Sequence, residues 1–114
     1  MSQKILRLVL LYWKDCGACH RIMPTWNTIR SSNLNDVFSF CDYESTQMEQ
    51  IQSDYKRGSN YHNEVTLNGS TVNSFPTIKL GIYNHKTNMY DYYLFNELLT
   101  RENVIDFTLK KMKC

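Results

Sequence analysis

The pattern of apolar and polar positions in the first part of the chain predicts two strands with a helix between them. Residues 5–12 are nearly all apolar, as expected of a strand that is buried on both faces of a sheet. Apolar side chains then recur at helical spacing from Ile22 to Ile29, and Pro24 within this stretch predicts a kink. Residues 37–43 predict the second strand, so the chain is expected to begin with a β-α-β unit.

A second helix is predicted directly after this unit. The sequence Thr-Gln-Met-Glu at residues 46–49 matches a capping box at a helix N-terminus. Apolar positions form a stripe on the helix at Met48, Ile51 and Tyr55, and Gly58 is expected to end it. The predicted order thereby becomes β-α-β-α.

The rest of the chain predicts two hairpins and a last helix. Residues 59–74 are polar and turn-rich, and the Asn-Gly pair at 68–69 predicts a small hairpin within them. Residues 78–83 and 89–95 predict two further strands that are joined by a turn. The last helix is expected to begin at Thr100 and to bury Val104, Ile105, Phe107 and Leu109.

This order of elements predicts an α/β fold, with a mixed central sheet and helices on both of its faces. The chain has 114 residues, which is enough for one domain with an ordinary hydrophobic core. We therefore expect a single domain that spans residues 1–114 and carries a polar insertion around residues 59–74.

Charge and composition exclude two classes of partner. A formal net charge of +2 without any long run of Lys and Arg predicts no binding to nucleic acid. The apolar run at residues 5–12 is too short to span a bilayer and lacks a cleavage site, so we expect no membrane association and a cytoplasmic location. A single alanine among many Asn, Tyr and Lys is typical of an AT-rich genome, such as that of a large DNA virus or a parasite. A viral chain of this kind is expected in the virion or the host cytosol.

Two of the four cysteines, Cys16 and Cys19, form a Cys-x-x-Cys pair after the first predicted strand. Such a pair occurs in zinc sites, in structural disulfides and in redox-active dithiols. A zinc site needs four ligands, and Cys41, Cys114 and the histidines form no second pair, so we expect no metal. A structural disulfide across so small a loop constrains the unfolded chain little, which makes a redox dithiol the favoured hypothesis.

Placement at the start of a helix favours redox chemistry, because the free N–H groups of the first turn stabilise a thiolate. We expect Cys16 to be the exposed attacking sulfur, with a pKa below that of a free thiol. Cys19 lies one turn deeper and is expected to resolve the mixed disulfide. Gly17 and Ala18 are small, so they allow a substrate backbone to approach and are counted among the residues that modulate the dithiol.

Residues 8–26 and residues 72–80 together carry a wider pattern. The first stretch, LVLLYWKDCGACHRIMPTW, has Tyr12 four residues before the first cysteine and Pro24 five residues after the second. The second stretch, VNSFPTIKL, has a Phe-Pro-Thr run just before a predicted strand. This pattern resembles the thioredoxin superfamily and, within it, a single active domain of protein disulfide isomerase. The hairpin and the last helix follow in the family's order, so the resemblance covers nearly the whole chain.

The resemblance implies a thiol–disulfide oxidoreductase that needs no small-molecule cofactor. It implies that the peptide bond before Pro76 is cis and that this proline faces the dithiol. The substrate groove would then be shaped by Phe75, Pro76, Thr77 and Tyr12. The partners implied are proteins that bear thiols or disulfides, together with a redox partner whose identity the sequence does not give.

The chain departs from the family's pattern at three places. Asp15 stands where the family commonly has tryptophan, and its charge opposes a thiolate, whereas the charge of Lys14 favours one and His20 is a further modulator. Leu10 occupies the position of the family's buried acid, which accepts the proton of the resolving cysteine, so we expect slow release of mixed disulfides. The N-terminal β-α unit of thioredoxin is absent, and the segment before Pro76 is longer instead.

These departures keep a second hypothesis open, in which the chain is a binding or scaffold protein that retains the fold with little redox turnover. A glutathione-dependent enzyme is a weaker third hypothesis, since no basic residues are evidently placed for the carboxylates of glutathione. The two residues between the cysteines match neither reducing thioredoxins nor oxidising isomerases, so the direction of the reaction stays open. Structural roles are expected for four residues: Cys41 as a buried inert thiol, Cys114 as a free terminal thiol, and Trp13 and Trp26 in packing.

Overall fold

The computed structural model describes residues 4–113 and contains a four-stranded mixed sheet. The elements in chain order are β1 Leu6–Tyr12, α1 Gly17–Arg30, a short 3₁₀ helix Asn33–Asp36, β2 Phe38–Glu44, α2 Ser45–Asp54, α3 Asn60–Glu64, β3 Thr66–Leu67, β4 Ser70–Thr71, β5 Thr77–Asn84, β6 Met89–Phe95 and α4 Arg101–Met112. Strand β1 runs parallel to β2 and antiparallel to β5, and β5 runs antiparallel to β6. The predicted α/β fold with a mixed sheet is confirmed.

One face of the sheet, called the dithiol face below, packs against α1 and α4 and is mostly apolar. Alternate residues of β1 supply Leu8 and Leu10, because successive strand side chains point to opposite faces. Helix α1 contributes Trp26 and Ile29, and α4 contributes Val104. The apolar stripe predicted for the first helix is therefore confirmed, and this stripe fixes the helix that follows Cys16.

The opposite face, called the insertion face below, is covered by α2, α3 and the β3–β4 hairpin. Val9 and Leu11 of β1 pack there against Met48 of α2 and against Val65 and Val72. The last two residues belong to the segment 59–74, which is polar in sequence but partly buried in the fold. Helices thus lie on both faces of the sheet, as predicted.

Charged side chains are also buried on the insertion face. Glu64 is 3% exposed and pairs with Arg7 of β1. Lys79 of β5 is 2% exposed, and its Nζ donates hydrogen bonds to the carbonyl oxygens of Asn63 (2.7 Å) and Thr66 (2.6 Å). Buried charges are tolerated only when they are paired and hydrogen-bonded. These bonds therefore hold the segment 59–74 on the sheet.

The predicted ends of the second helix were wrong. The N-cap of α2 is Glu44, whose carboxylate accepts a hydrogen bond from the N–H of Thr46 (2.8 Å). Gln47 completes the capping box by accepting from the N–H of Glu44 (2.8 Å). The prediction placed the cap at Thr46 because Ser and Thr are preferred N-caps and Glu is not. The helix also ends at Asp54, well before Gly58.

Three side chains are more exposed than predicted. Tyr55 is 44% exposed and Leu109 is 54% exposed, while Cys41 is only half-buried. In α4 the buried position belongs to Thr108 instead of Leu109, because the Thr108 hydroxyl donates to the carbonyl oxygen of Val104 (2.7 Å) and is satisfied within the helix. A hydropathy pattern does not detect a hydroxyl that is satisfied in this way.

The small hairpin within residues 59–74 is confirmed. Asn68 and Gly69 have φ values of +53° and +84°, which place both residues in the left-handed region. A tight two-residue turn needs this conformation at both central positions, and Asn-Gly is the pair that adopts it most readily. The last helix also begins as predicted, with Thr100 as its N-cap and its hydroxyl accepting from the N–H of Asn103 (3.0 Å).

Candidate active site

The dithiol lies where β1 ends and α1 begins, and the loop before β5 lies beside it. Because β1 and β5 are adjacent and antiparallel, with Leu11 opposite Thr77, the end of the first strand meets the start of the second. The Sγ atom of Cys16 is 3.6 Å from the carbonyl oxygen of Phe75, although 59 residues separate them. The peptide bond between Phe75 and Pro76 is cis. The sheet therefore brings together two stretches that are far apart in sequence.

Cys16 is the N-cap of α1 and is half-exposed. The pKa of its thiol is lowered, first by the backbone N–H of Cys19, then by the Cys19 side chain, by the N–H of Ala18 and by the charge of Arg21. Neither amide closes a complete capping hydrogen bond to the sulfur, so the effect comes from N–H dipoles that point toward it. The helix N-terminus therefore favours a thiolate at this position.

Cys19 has the opposite environment. It is 1% exposed, and burial is the main reason that the pKa of its thiol is raised. The N–H of Trp13 lies 3.5 Å from its Sγ and partly opposes that increase, while the hydrogen bond and the charge of Cys16 add to it. Both thiols are free. A half-exposed sulfur with a lowered pKa thus stands beside a buried sulfur with a raised pKa.

A cavity of about 580 Å³ lies on the side of the dithiol that faces Tyr12. It is lined by Tyr12, Lys14, Cys19, His20, Met23, Pro24 and Asn27. Tyr12 is half-buried, and burial raises the pKa of its phenol, with smaller contributions from the charges of Asp42 and Glu44. This cavity, called the Tyr12 cavity below, reaches the buried cysteine.

A second cavity of about 390 Å³ lies on the other side, next to Phe75. Its walls include Trp13 from the turn before the dithiol, Met48 of α2, and Val72 from the segment 59–74. Trp13 is 45% exposed, so its predicted packing role was wrong, whereas Trp26 is fully buried as expected. The segment 59–74 thus forms part of the wall of this cavity, which we call the Phe75 cavity.

Solved structures share this arrangement of strands and helices. The Trx4 domain of ERdj5 matches with a TM-score of 0.64 at 15% identity, over 96% of this chain and 81% of that one. The first two thioredoxin domains of Saccharomyces cerevisiae Eps1p match with a TM-score of 0.59 at 21% identity, over 91% of this chain and 34% of that one. The first thioredoxin domain of mouse protein disulfide-isomerase A4 matches with a TM-score of 0.53 at 14% identity, over 94% of this chain and 63% of that one. This chain has the thioredoxin fold. No protein-family model matches the sequence, and no curated protein matches it significantly.

Within this thioredoxin fold, the turn before Cys16 is held at Lys14 from two sides. The N–H of Lys14 donates to Glu44 Oε2 (3.3 Å), and the ring Nε2 of His20 contacts the Lys14 carbonyl oxygen. The hydroxyl and the backbone N–H of Thr46 are the main reasons that the pKa of Glu44 is lowered to about 2, so this carboxylate is ionised near neutral pH. The main chain of Lys14 is therefore fixed between β2 and α1.

The other predicted site residues are distributed unevenly. Asp15 and Gly17 are exposed and Ala18 is half-buried, next to the dithiol. Thr77 is buried, and its hydroxyl donates to the carbonyl oxygen of Ser74 (2.6 Å). Its side chain therefore stabilises the loop before β5. Pro76 is half-buried beside Phe75.

Arg21 is a site residue that the sequence analysis missed. Its guanidinium lies over the first turn of α1, with Nη1 3.5 Å from the point where a side chain on Gly17 would begin. Arg21 also makes the largest contribution of any charged side chain to the low pKa of Cys16. Helical spacing could have indicated it, because a residue four positions after Gly17 lies on the same side of a helix.

The position of the family's buried acid is apolar in this fold. Leu10 is fully buried among the apolar residues of the dithiol face. The carboxylate beside it in the sheet belongs to Asp42, whose Oδ2 accepts from Trp26 Nε1 (3.2 Å) and from Arg30 Nη1 (3.1 Å). That carboxylate is therefore already engaged with α1.

Cys41, the remaining cysteine among residues 4–113, does not join the dithiol. Cys41 pairs with Val9 in the sheet and so belongs to the insertion face, and burial is the main reason that the pKa of its thiol is raised. Cys114 lies outside the described residues.

Among residues 4–113, no group of three or more His, Cys, Asp and Glu side chains converges in a way that could hold a metal ion. None of the helices in that range is long and apolar enough to cross a membrane.

Proposed function

We propose that this chain is a thiol–disulfide oxidoreductase that acts on protein thiols and disulfides through Cys16 and Cys19. The observation that carries the proposal is the opposite environment of the two sulfurs. The half-exposed thiol has a lowered pKa at a helix N-terminus, and the buried thiol one turn away has a raised pKa. Thiol–disulfide exchange needs one sulfur that attacks first and a second that waits.

The reaction proceeds in two exchanges. The Cys16 thiolate attacks one sulfur of a substrate disulfide, a bond forms between them, and the other substrate sulfur leaves as a thiolate. The Cys19 thiolate then attacks Cys16 Sγ, the Cys16–Cys19 disulfide forms, and the second substrate sulfur leaves. Two electrons pass from the dithiol to the substrate, and the same steps in reverse oxidise a substrate dithiol.

The surface around Cys16 is suited to an extended protein segment. The Phe75 carbonyl oxygen lies 3.6 Å from Cys16 Sγ, and it is an acceptor that a substrate backbone N–H can use. Cavities on both sides of this point offer apolar walls, from Tyr12 and Met23 on one side and from Trp13 and Phe75 on the other. We propose protein substrates for this reason, with a separate redox partner that restores the dithiol.

Reduction of insulin by dithiothreitol, followed by turbidity, tests the proposal. The native chain should accelerate precipitation of insulin, and Cys16→Ser should abolish this acceleration. Cys41→Ser is the matched control, because Cys41 lies on the insertion face, and it should retain the activity of the native chain. A native chain no more active than Cys16→Ser would reject the enzyme.

A binding or scaffold protein with little turnover is the second candidate, and Leu10 favours it. An apolar residue fills the place from which the family's acid takes the proton of the buried cysteine. Such a protein should capture substrates as mixed disulfides at Cys16 and release them slowly. Persistent mixed disulfides in the native chain, at the level trapped by Cys19→Ser, would favour this candidate over the enzyme.

Measurement of the reduction potential against glutathione buffers assigns the direction of the reaction. A value near about −270 mV is typical of a reductase, and a value near about −180 mV is typical of an oxidase or isomerase. Stabilising the Cys16 thiolate stabilises the reduced form, so substitutions that raise the pKa of Cys16 should make the potential more negative.

A further inference from the structure

We infer that His20 is the proton acceptor for Cys19, an assignment that rests on the proposed function. Both residues line the Tyr12 cavity, which has a volume of about 580 Å³. A water molecule occupies about 30 Å³ of liquid, so the cavity has room for water to bridge the thiol and the imidazole. Cys19 is otherwise buried, and the core beneath it on the dithiol face is apolar.

The contact between His20 and Lys14 selects the tautomer of the neutral ring that this role requires. Nε2 of His20 lies against the carbonyl oxygen of Lys14. A carbonyl oxygen can only accept a hydrogen bond, so Nε2 carries the proton of the neutral ring. Nδ1 is then left with a lone pair that can accept a proton. The backbone of Lys14 thus orients the imidazole, and Glu44 in turn holds that backbone through the Lys14 N–H (3.3 Å).

The other residues that line the Tyr12 cavity are poor proton acceptors. The phenol of Tyr12 stays protonated, because burial raises its pKa, and the ammonium group of Lys14 has no lone pair. Asn27 offers an amide, which is not basic, and Met23 and Pro24 have no group that takes up a proton. Imidazole is the side chain that exchanges a proton near neutral pH. His20 is therefore the base that this cavity provides.

The proton transfer takes part in the second exchange. A bridging water passes the proton of Cys19 Sγ to Nδ1 of His20, and the resulting thiolate attacks Cys16 Sγ of the mixed disulfide. The Cys16–Cys19 bond forms while the bond from Cys16 to the substrate sulfur breaks. The substrate leaves as a thiolate and accepts the proton from the imidazolium or from solvent, so both charge and electrons balance.

Stopped-flow reaction with DTNB separates the two exchanges, since each releases one thionitrobenzoate. The background is Cys41→Ser with Cys114→Ser, so that only the dithiol reacts. His20→Gln keeps a side-chain N–H for the Lys14 carbonyl but removes the basic nitrogen. We expect it to slow the second release at neutral pH by about tenfold or more, while the first release changes by less than about twofold. Free imidazole in solution should restore part of the lost rate.

His85→Gln is the matched control, because His85 is exposed in the turn between β5 and β6, and it should leave both releases unchanged. An unchanged second release in His20→Gln, or a slowed one that imidazole does not restore, would overturn the role of His20 and leave the proposed function standing. If the background variant that retains His20 shows no second release, both the role of His20 and the proposed function are overturned. Equal slowing of both releases would also contradict a base that serves Cys19 alone.

Discussion

The two faces of the sheet are built from different interactions. On the dithiol face, apolar side chains such as Leu8, Trp26 and Val104 pack together and fix the helix that begins after Cys16. On the insertion face, Arg7, Glu64 and Lys79 are charged, and they bond to each other or to backbone carbonyls of the segment 59–74. Both faces bury the same strands, but the almost fully buried acidic and basic side chains among residues 4–113, Glu64 and Lys79, lie on the insertion face.

This difference separates the chemistry of the dithiol from the anchoring of the segment 59–74. The reactive sulfurs depend on the N-terminus of α1 and on its packing, which involve no buried charge. The segment 59–74 depends on charged partners, because removing one member of a buried pair leaves the other uncompensated. A substitution among the buried charges should therefore lower stability and leave the reactivity of Cys16 unchanged.

Glu64→Gln is the strongest test of this separation. The substitution leaves the Arg7 guanidinium without a carboxylate partner. Burial alone would lower the pKa of Arg7, but the hydrogen bond and the charge of Glu64 outweigh burial and raise it, so Glu64 stabilises the charged guanidinium. We expect the free energy of unfolding in urea to fall by about 3 kcal/mol. Glu97→Gln at an exposed position is the control and should change it little. A loss below about 1 kcal/mol for Glu64→Gln would mean that the pair is screened by solvent, as at a surface.

Lys79→Met examines the second anchor and has a pH signature. The carbonyl oxygens of Asn63 and Thr66 lose their donor, which should cost about 2 kcal/mol. Burial lowers the pKa of Lys79 from 10.5 to about 8, although the charge of Glu64 opposes this.

Between those two pKa values of Lys79 the unfolded chain holds more protons than the native chain, so this lysine makes stability rise with pH. The difference in unfolding free energy between the native chain and Lys79→Met should therefore grow over that window. Urea unfolding at several pH values measures it. A difference that shrinks as the pH rises would show that the folded state holds the ammonium form.

How much of this organisation the sequence could predict differs between the faces. The dithiol face follows from helical and strand periodicity, so its strand, its helix and the position of Trp26 were predictable. The buried charges were not, since charged side chains are mostly exposed in proteins and a hydropathy pattern does not identify Arg7, Glu64 and Lys79 as exceptions. Their partners lie far away in sequence, and only the folded chain brings them together.

The candidate site divides in the same way. Cys16 and Cys19 are a local motif, and their placement at a helix start follows from the sequence around them. The contacts of Cys16 with Phe75 and of Lys14 with Glu44 depend on which strands are neighbours. The role of Arg21 depends on the direction of its side chain over the helix end, which a pattern of residue types does not give.

Gly69→Ala tests the turn that supports the insertion face, with a smaller expected effect. Alanine at φ +84° is strained, which should lower the free energy of unfolding by about 1 kcal/mol. Gly17→Ala is the control for stability, because Gly17 is helical and a side chain there makes an ordinary contact with Arg21. Thermal unfolding distinguishes the two variants. Equal stability of the two would show that the turn contributes little to the free energy of unfolding.

Arg21→Gln should have the smallest effect, and on reactivity instead of stability. Removing the guanidinium raises the pKa of Cys16. The rise should be small, because the charge of Arg21 is the smallest of the causes that lower this pKa. The alkylation rate at neutral pH should fall by roughly twofold, as for other exposed charges, and high salt should remove the difference. In the same assay, Arg21→Gln should lower the alkylation rate of Cys16 more than Glu64→Gln does, because Glu64 lies on the opposite face of the sheet.

The pH dependence of alkylation at Cys16, followed residue by residue with iodoacetamide and mass spectrometry, is the most direct measurement. If the first turn of α1 stabilises the thiolate, the midpoint for Cys16 lies below that of a cysteine in an unstructured peptide, and Cys19 is labelled only at higher pH. Labelling of Cys16 no faster than a cysteine in an unstructured peptide, or labelling of Cys19 first, would contradict this explanation of the dithiol.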